Sequence, residues 1–99
     1  MIARSPDLAH QHRRVYHFSG RVQGVGFRYT VKNIALQYNV LGYVRNLPDG
    51  RVELVMEGDE SEMDHLVDAV SSKMNGYIQK LDTDVLPANG EFDHFYIRH

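Results

Sequence analysis

The amino-acid sequence predicts an α+β sandwich in which one antiparallel sheet carries two helices on one face. Three observations support that class. Two stretches, around Val31 and around Leu66, repeat apolar residues at spacings of three and four, as a helix with one buried face requires. Other stretches alternate apolar with polar residues, or run apolar between turn residues, as strands do. Their order is strand, helix, strand, strand, helix, strand, strand, so each helix returns the chain across a sheet.

The first strand is read from "VYHFS", Val15 to Ser19, where Tyr16 and Phe18 fall on one face. A glycine-rich loop follows at once. Phe27, Val31, Ile34, Ala35 and Tyr38 then mark a helix over Arg28–Tyr38, ended by Asn39, a residue type that tolerates a left-handed backbone. "LGYVRN" and "RVELVME" form a hairpin from Leu41 to Glu57 about the turn "LPDG", in which Pro48 presets one dihedral and Gly50 accepts a positive one. On its second strand Val52, Leu54 and Met56 share one face, with Glu53 and Glu57 on the other.

Met63, Leu66, Val67, Val70 and Met74 mark the second helix. Asp59 and Glu62 have the spacing of a capping box, and Asn75 and Gly76 end the helix. The remainder reads as two strands separated by the breaker "PANG". In the last, Phe95 and Ile97 share one face while His94, Tyr96 and Arg98 share the other. This order, βαββαβ with an extra strand, is that of the split βαβ, or ferredoxin-like, sandwich.

Composition bounds what such a domain can do. A chain of 99 residues is one small domain with a core sufficient to fold alone. It is 42% hydrophobic and 24% charged, as soluble globular domains are. With no cysteine, disulfides and thiolate zinc sites are excluded, and a reducing compartment suits the chain. No apolar run approaches the roughly 18 residues of a membrane span, and "MIARSPDLAHQHRR" lacks the apolar centre of a secretory signal. The expectation is a cytoplasmic protein with a flexible polar leader over residues 1–13 and one folded domain over 14–99. A net charge of -2 and a pI of about 6.3 give no general attraction for nucleic acid, so any positive site must be local.

The predicted topology locates one such site. Because the first helix carries the chain back over the sheet, the first and second strands run the same way and end at one edge. That edge holds the loop "GRVQGVG" and also Asn46, at the end of "GYVRN". A loop that feeds a helix points backbone N–H groups at one place, where the helix dipole adds partial positive charge, and glycines permit a concave arrangement of amides. Arg28 in the first turn is a cation at the positive end of a helix, an arrangement that wants a phosphate or carboxylate between them. Its planar fork can hold two oxygens at once. On spacing alone, a tight turn with a solvated Arg28, and a strand-end Asn46 bonded to its own turn, account for the same residues. Neither G-x-x-x-x-G-K-[ST] nor G-x-G-x-x-G is present, so the loop is neither a nucleotide P-loop nor a dinucleotide fingerprint.

"GRVQGVGFR" and "GYVRNLPDGRVELVMEG" closely resemble, in order and spacing, the two signature segments of the acylphosphatase family, small enzymes that hydrolyse the carboxyl–phosphate bond of acyl phosphates. The resemblance runs from about Arg14 to the terminal "FDHFYIRH" and is weakest over "SSKMNGYIQKLDTDV", away from both segments. It implies a ferredoxin-like sandwich and an acylphosphatase-like domain over 14–99. It also implies that Arg21, Val22, Gln23, Gly24, Val25, Gly26, Phe27 and Arg28 form a phosphate-binding loop through their amides, with the Arg28 guanidinium gripping the phosphate. Asn46 corresponds to the family's catalytic asparagine, which orients the attacking water. Gln23 matches a glutamine of the motif, either shaping the loop or meeting the substrate. The resemblance implies a hydrolase that needs no metal and no organic cofactor. Its substrate would be a small-molecule acyl phosphate and its product inorganic phosphate, and a monomer without nucleic-acid or membrane partners is expected.

Other residues carry less. The six histidines show no pair at the helical spacing of a zinc motif, so surface roles are expected. Arg21 and Arg45 flank the proposed pocket, either raising its potential or standing in solvent. An RNA-recognition domain of the same topology would need aromatics on the third strand, where "RVELVME" has none. The alternative function is a non-catalytic anion- or phosphate-binding regulatory module, which would keep Arg28 and the loop but would not require Asn46.

Overall fold

The computed structural model describes residues 11–99. Seven elements follow one another: β1 (His12–Gly20), α1 (Phe27–Ala35), β2 (Val40–Asn46), β3 (Val52–Gly58), α2 (Glu60–Lys73), β4 (Ile78–Pro87) and β5 (Phe95–Ile97). The order is the expected one. Of the leader expected over residues 1–13, residues 1–10 lie outside the described residues. His12 and Arg13 depart from it: they belong to β1, held by pairing with Gly58 and Glu57 on one side and Pro87 and Leu86 on the other.

The sheet order is β4-β1-β3-β2-β5. β3 lies antiparallel to both β1 and β2, and β4 lies antiparallel to β1. β5 pairs with β2 in parallel, so the sheet is mixed and the expectation of a wholly antiparallel one fails at that seam. The reason is where the chain crosses. β4 ends beside His12, at the edge opposite the glycine loop, so β5 starts from that edge and must run the same way as β2.

Alternation along the strands sends Tyr16, Phe18, Val44, Val52, Leu54 and Met56 toward the helices, where all are buried against Val31 and Ala35 of α1 and Met63, Leu66 and Val70 of α2. Each large apolar side chain so buried contributes on the order of 2 kcal/mol before entropy is counted. α1 ends at Ala35, three residues short of expectation, because the amides of Gln37 and Tyr38 bond back to Ile34 and Ala35 in tighter turns. The left-handed Asn39 is not made: among the described residues only glycines have positive φ. Instead the Asn39 N–H donates to the Glu62 carboxylate at 2.8 Å. That contact occupies Glu62, and α2 starts after Asp59 without a side-chain cap, so the capping box does not form.

The other face of the sheet is covered in part by residues 88–96. Glu57 is 2% exposed there, bonded by Arg13 at 3.1 Å and by the backbone N–H groups of Asn89 and Gly90 at 3.0 Å, which pins the "PANG" loop to β3. Glu53 accepts hydrogen bonds from Arg45 at 2.8 Å and Tyr43 at 3.2 Å, with His17 Nε2 at 2.9 Å. Burial by itself would raise the Glu53 carboxyl, but the bonds from His17 and Arg45, the Arg45 charge and the Tyr43 hydroxyl outweigh it and hold the group below its ordinary value.

Two predictions follow from this packing. Gly42 has φ +144°, and an added Cβ would stand 1.8 Å from the Val55 carbonyl oxygen, so Gly42→Ala should cost more than about 3 kcal/mol or prevent folding. Gly50→Ala, at φ +95° with open space around it, should cost about 1 kcal/mol in the same urea titration. The second concerns Glu53. A carboxyl held below its unfolded value stabilises the fold at neutral pH, and that share is lost as the pH falls through about 4 toward the folded value. The stability gap between the parent and Glu53→Gln, read from urea midpoints at pH 7, should therefore shrink at pH 3.

Candidate active site

β1 and β2 end at one edge, and a single row across the sheet joins them. Val52, the first residue of β3, pairs with Phe18 on one side and Asn46 on the other. Adjacent strands lie about 4.8 Å apart, so the backbones of Phe18 and Asn46 are roughly 10 Å apart. The loop leaves β1 two residues after Phe18, beside this row. Asn46 alternates with the core residue Val44 and so stands on the helix side of the sheet, the side on which α1 begins.

The loop's backbone is set by two left-handed glycines, Gly24 (φ +77°) and Gly26 (φ +76°). Gly26 is the N-cap of α1 and offers no side-chain acceptor, and the first turn contains no acidic residue. The helix start is thus uncapped by any side chain, with its N–H groups directed out of the first turn. Val22 and Phe27 are buried, and Phe27 packs on Phe18 with ring centroids 5.1 Å apart. These two side chains fasten both ends of the loop to the core. One member of the predicted amide cradle is withdrawn: the Arg21 N–H donates to the Tyr77 carbonyl at 2.9 Å, so Arg21 cannot offer that amide to an anion.

Gln23 makes the contacts of a loop-shaping residue. Its Nε2 donates to the carbonyls of Leu47, at 2.8 Å, and Arg51, at 2.9 Å, clasping the turn that joins β2 to β3. Leu47 directly follows Asn46, so this side chain ties the glycine loop to the strand end that carries Asn46.

Arg28 approaches the same place from above. It lies in the first turn of α1, and its Nη1 is 3.4 Å from Nδ1 of His99. β5 runs beside β2 with Ile97 opposite Val44, so His99, two residues on, comes alongside Asn46, two residues beyond Val44. The amide oxygen of Asn46 is buried and has no hydrogen-bond partner among the described residues. An orphaned acceptor of this kind costs about 1–3 kcal/mol, which native folds seldom sustain without use. Arg45, by contrast, does not flank the pocket: it points to the opposite face and pairs with Glu53 at 2.8 Å.

Two grooves lie elsewhere, one of about 390 Å³ lined by Thr30, Asn33 and Lys73, and one of about 370 Å³ beside Arg14 and Asp64. Neither includes Arg28 or Asn46, and the chemistry of the edge, not groove size, marks the candidate site. Among the described residues, no group of three or more His, Cys, Asp and Glu side chains is placed to hold a metal ion, and no helix is long and apolar enough to cross a membrane.

Sequence reasoning missed two parts of this edge. The Gln23 clasp joins residues more than twenty positions apart, and the neighbour of β5, hence the place of His99, is invisible without the sheet order. The alternation of Phe95 and Ile97, continued to His99, was the one available signal.

Fold and edge together define a ferredoxin-like α/β sandwich with an arginine-bearing glycine loop facing a strand-end asparagine. The family model of acylphosphatases matches residues 14–97. The acylphosphatase of Paenarthrobacter aurescens is 43% identical over 86 residues, covering 86% of this chain and 92% of its own. That of Syntrophus aciditrophicus is 41% identical over 87 residues, covering 86% and 91%. The crystal structure of acylphosphatase from Bacillus subtilis superposes with a TM-score of 0.79 at 32% identity, covering 90% of this chain and 99% of that one. The chain belongs to the acylphosphatase family, and it is a hydrolase with that family's activity.

Removing the clasp should loosen the site without dissolving the fold. Gln23→Ala is expected to cost about 1–2 kcal/mol in urea denaturation, from two lost hydrogen bonds, and to weaken competitive inhibition by inorganic phosphate. Gln23→Glu, which cannot donate, should behave alike in both measurements.

Proposed function

We propose that this edge binds an acyl phosphate and hydrolyses its carboxyl–phosphate bond, with Arg28 and the amides of residues 22–28 holding the phosphoryl group and Asn46 placing the water. The buried, unpaired Oδ1 of Asn46 carries this reading. A carboxamide oxygen accepts one hydrogen bond from a water without being basic enough to take its proton, which is what positioning a nucleophile asks. A bare anion-binding module would have no use for that acceptor.

The water oxygen attacks phosphorus as the bond from phosphorus to the acyl oxygen breaks, and the bonding pair leaves with the carboxylate. One water proton stays with the new hydroxyl on phosphorus. The other passes to a phosphoryl oxygen or to solvent, so the products are a carboxylate and inorganic phosphate. A carboxylate is a good leaving group and needs little acid assistance. The enzyme has mainly to orient the reactants and to stabilise charge on the phosphoryl oxygens, the work of the guanidinium and the helix-start amides. None of these steps calls for a metal or an organic cofactor. The proposal extends to a monomer acting in the cytoplasm, with residues 14–99 as the catalytic domain.

Hydrolysis of benzoyl phosphate in the presence of a chelator tests the assignment. Arg28→Ala and Arg28→Lys should abolish both turnover and phosphate inhibition, because a point charge cannot replace the planar fork. Asn46→Ala should lower kcat by a factor of roughly 100–1,000, as loss of one preorganised polar group does, while inhibition by phosphate is retained. Parent-like turnover by Asn46→Ala would refute its role.

A further inference from the structure

We propose that Thr30 is a positioning residue for the phosphate site: its hydroxyl locks the peptide that joins Gly26 to Phe27, so that the Phe27 N–H is aimed into the glycine loop. The inference rests on the reading of the helix-start amides as donors to a phosphoryl group. Its starting point is one carbonyl. The Gly26 oxygen accepts from the Thr30 N–H at 3.0 Å and from the Thr30 Oγ1 at 2.9 Å. The first bond is the one that any residue other than proline would make at position 30 as α1 begins, whereas the second needs a hydroxyl there.

A peptide group is planar, so a carbonyl held at one end fixes the direction of the N–H at the other. The Gly26 carbonyl and the Phe27 N–H are the two ends of one such group. Without a lock this peptide is the loose point of the loop, because Gly26 lies at φ +76° with nothing within 4 Å of an added Cβ, and no side chain caps the helix. Sterics alone do not hold it. With both lone pairs of the oxygen filled, turning the plane would break two bonds at once, and the added polarisation makes the peptide N–H a stronger donor to an anion.

Threonine hydroxyls bond the carbonyl four residues back inside many helices, where that carbonyl already sits in a regular ladder. Here the carbonyl belongs to the N-cap, a residue with left-handed dihedrals outside the helix. Phe27, Arg28 and Tyr29 precede the first helical bond, so the peptide that Thr30 holds carries the first of the N–H groups directed out of the turn. Thr30 itself stays away from the ligand. Its side chain lines the groove between α1 and α2, with Asn33 and Lys73, and that groove includes neither Arg28 nor Asn46. The hydroxyl therefore acts through the peptide, behind the amides and not beside the anion.

The test compares the parent with Thr30→Val, Thr30→Ala and Thr30→Ser in benzoyl phosphate hydrolysis, in competitive inhibition by inorganic phosphate, and in amide NMR spectra with and without saturating phosphate. Valine keeps the branched shape and removes only the donor. Thr30→Val should raise KM and the inhibition constant of phosphate about three- to tenfold, the worth of one such bond. Its kcat should stay within about twofold of the parent, as loss of a contact made equally to substrate and transition state leaves it. Thr30→Ala should match Thr30→Val, and Thr30→Ser, which keeps the hydroxyl, should recover most of the loss. The Phe27 amide resonance should shift on phosphate addition in the parent and in Thr30→Ser, and less than half as far in Thr30→Val. Phosphate inhibition of Thr30→Val or Thr30→Ala within twofold of the parent overturns the proposal, as does a Thr30→Ser variant no better than Thr30→Val, or a Phe27 shift equal in parent and Thr30→Val. A Phe27 amide that does not move when phosphate binds the parent sinks the reading of the amides themselves, whereas one that moves beside a parent-like Thr30→Val sinks only the role of Thr30.

Discussion

The antiparallel pairing of β3 with both β1 and β2 is the constraint on which the active edge rests. Because each of those strands runs opposite to β3, they run the same way as each other, and Val52 sets Phe18 and Asn46 in one row. A loop from the end of β1 and a side chain from the end of β2 then meet with no further device. The crossover through α1 completes the arrangement, since a helix that returns over the sheet must begin at the edge where β1 stops. Sheet order, helix start and strand end are therefore three consequences of one pairing. The Gln23 clasp locks that consequence in place, joining the loop to the hairpin turn through one nitrogen and two carbonyls.

Electrostatics turns this scaffold toward an anion. A cation in the first turn of a helix opposes the helix dipole, a cost of a few tenths of a kcal/mol up to about 1 kcal/mol. Here the first turn has no acid to relieve it and the N-cap is a glycine with no oxygen to lend. The unfavourable pairing of a guanidinium with uncapped N–H groups becomes favourable when an oxyanion lies between them, which is what the proposed binding of a phosphoryl group draws on. Two other cations of the β2–β3 hairpin are kept from competing. Arg45 is turned to the other face by Glu53, and Arg51 is bonded to Asp49 at 2.8 Å. In a chain with a net charge of -2, these pairings leave Arg28 without a carboxylate partner among the described residues while its neighbours on the hairpin are neutralised.

The seven elements and their order were legible because their signals are local. The spacing of Phe27, Val31 and Ala35, the alternation of Val52, Leu54 and Met56, and the turn residues Pro48 and Gly50 each act within a few positions. The loop and Asn46 were legible as a pair because the direction of strands follows from the crossover, and their family likeness gave them names. What was not legible depends on partners distant in sequence. Glu62 looked like half of a capping box but found the Asn39 amide across the helix pair. Arg45 looked like a flank of the pocket until alternation across the β2–β3 pair set it against Glu53. The parallel seam of β5 depends on the edge from which the chain crosses, which no local pattern records. Arg21 looked like part of the amide cradle, but its N–H had already been taken by Tyr77.

Two carboxamides at the edge show how one functional group is given two tasks. Gln23 places its nitrogen between two fixed carbonyls, so nothing about it can change when a ligand arrives without breaking the loop. Asn46 stands next to the same turn, on the strand that Gln23 holds, yet its oxygen is buried without a donor. If burial alone mattered, the fold would gain by supplying one, since a strand-end asparagine readily bonds its own turn. Three donors of that turn are engaged elsewhere: the Leu47 N–H with the Arg51 carbonyl, the Gly50 N–H with the Leu47 carbonyl, and the Arg51 N–H with the Asp49 carboxylate. With those donors spent, the Asn46 oxygen is left without a donor from its own turn, which is the availability that the proposed placing of a water uses.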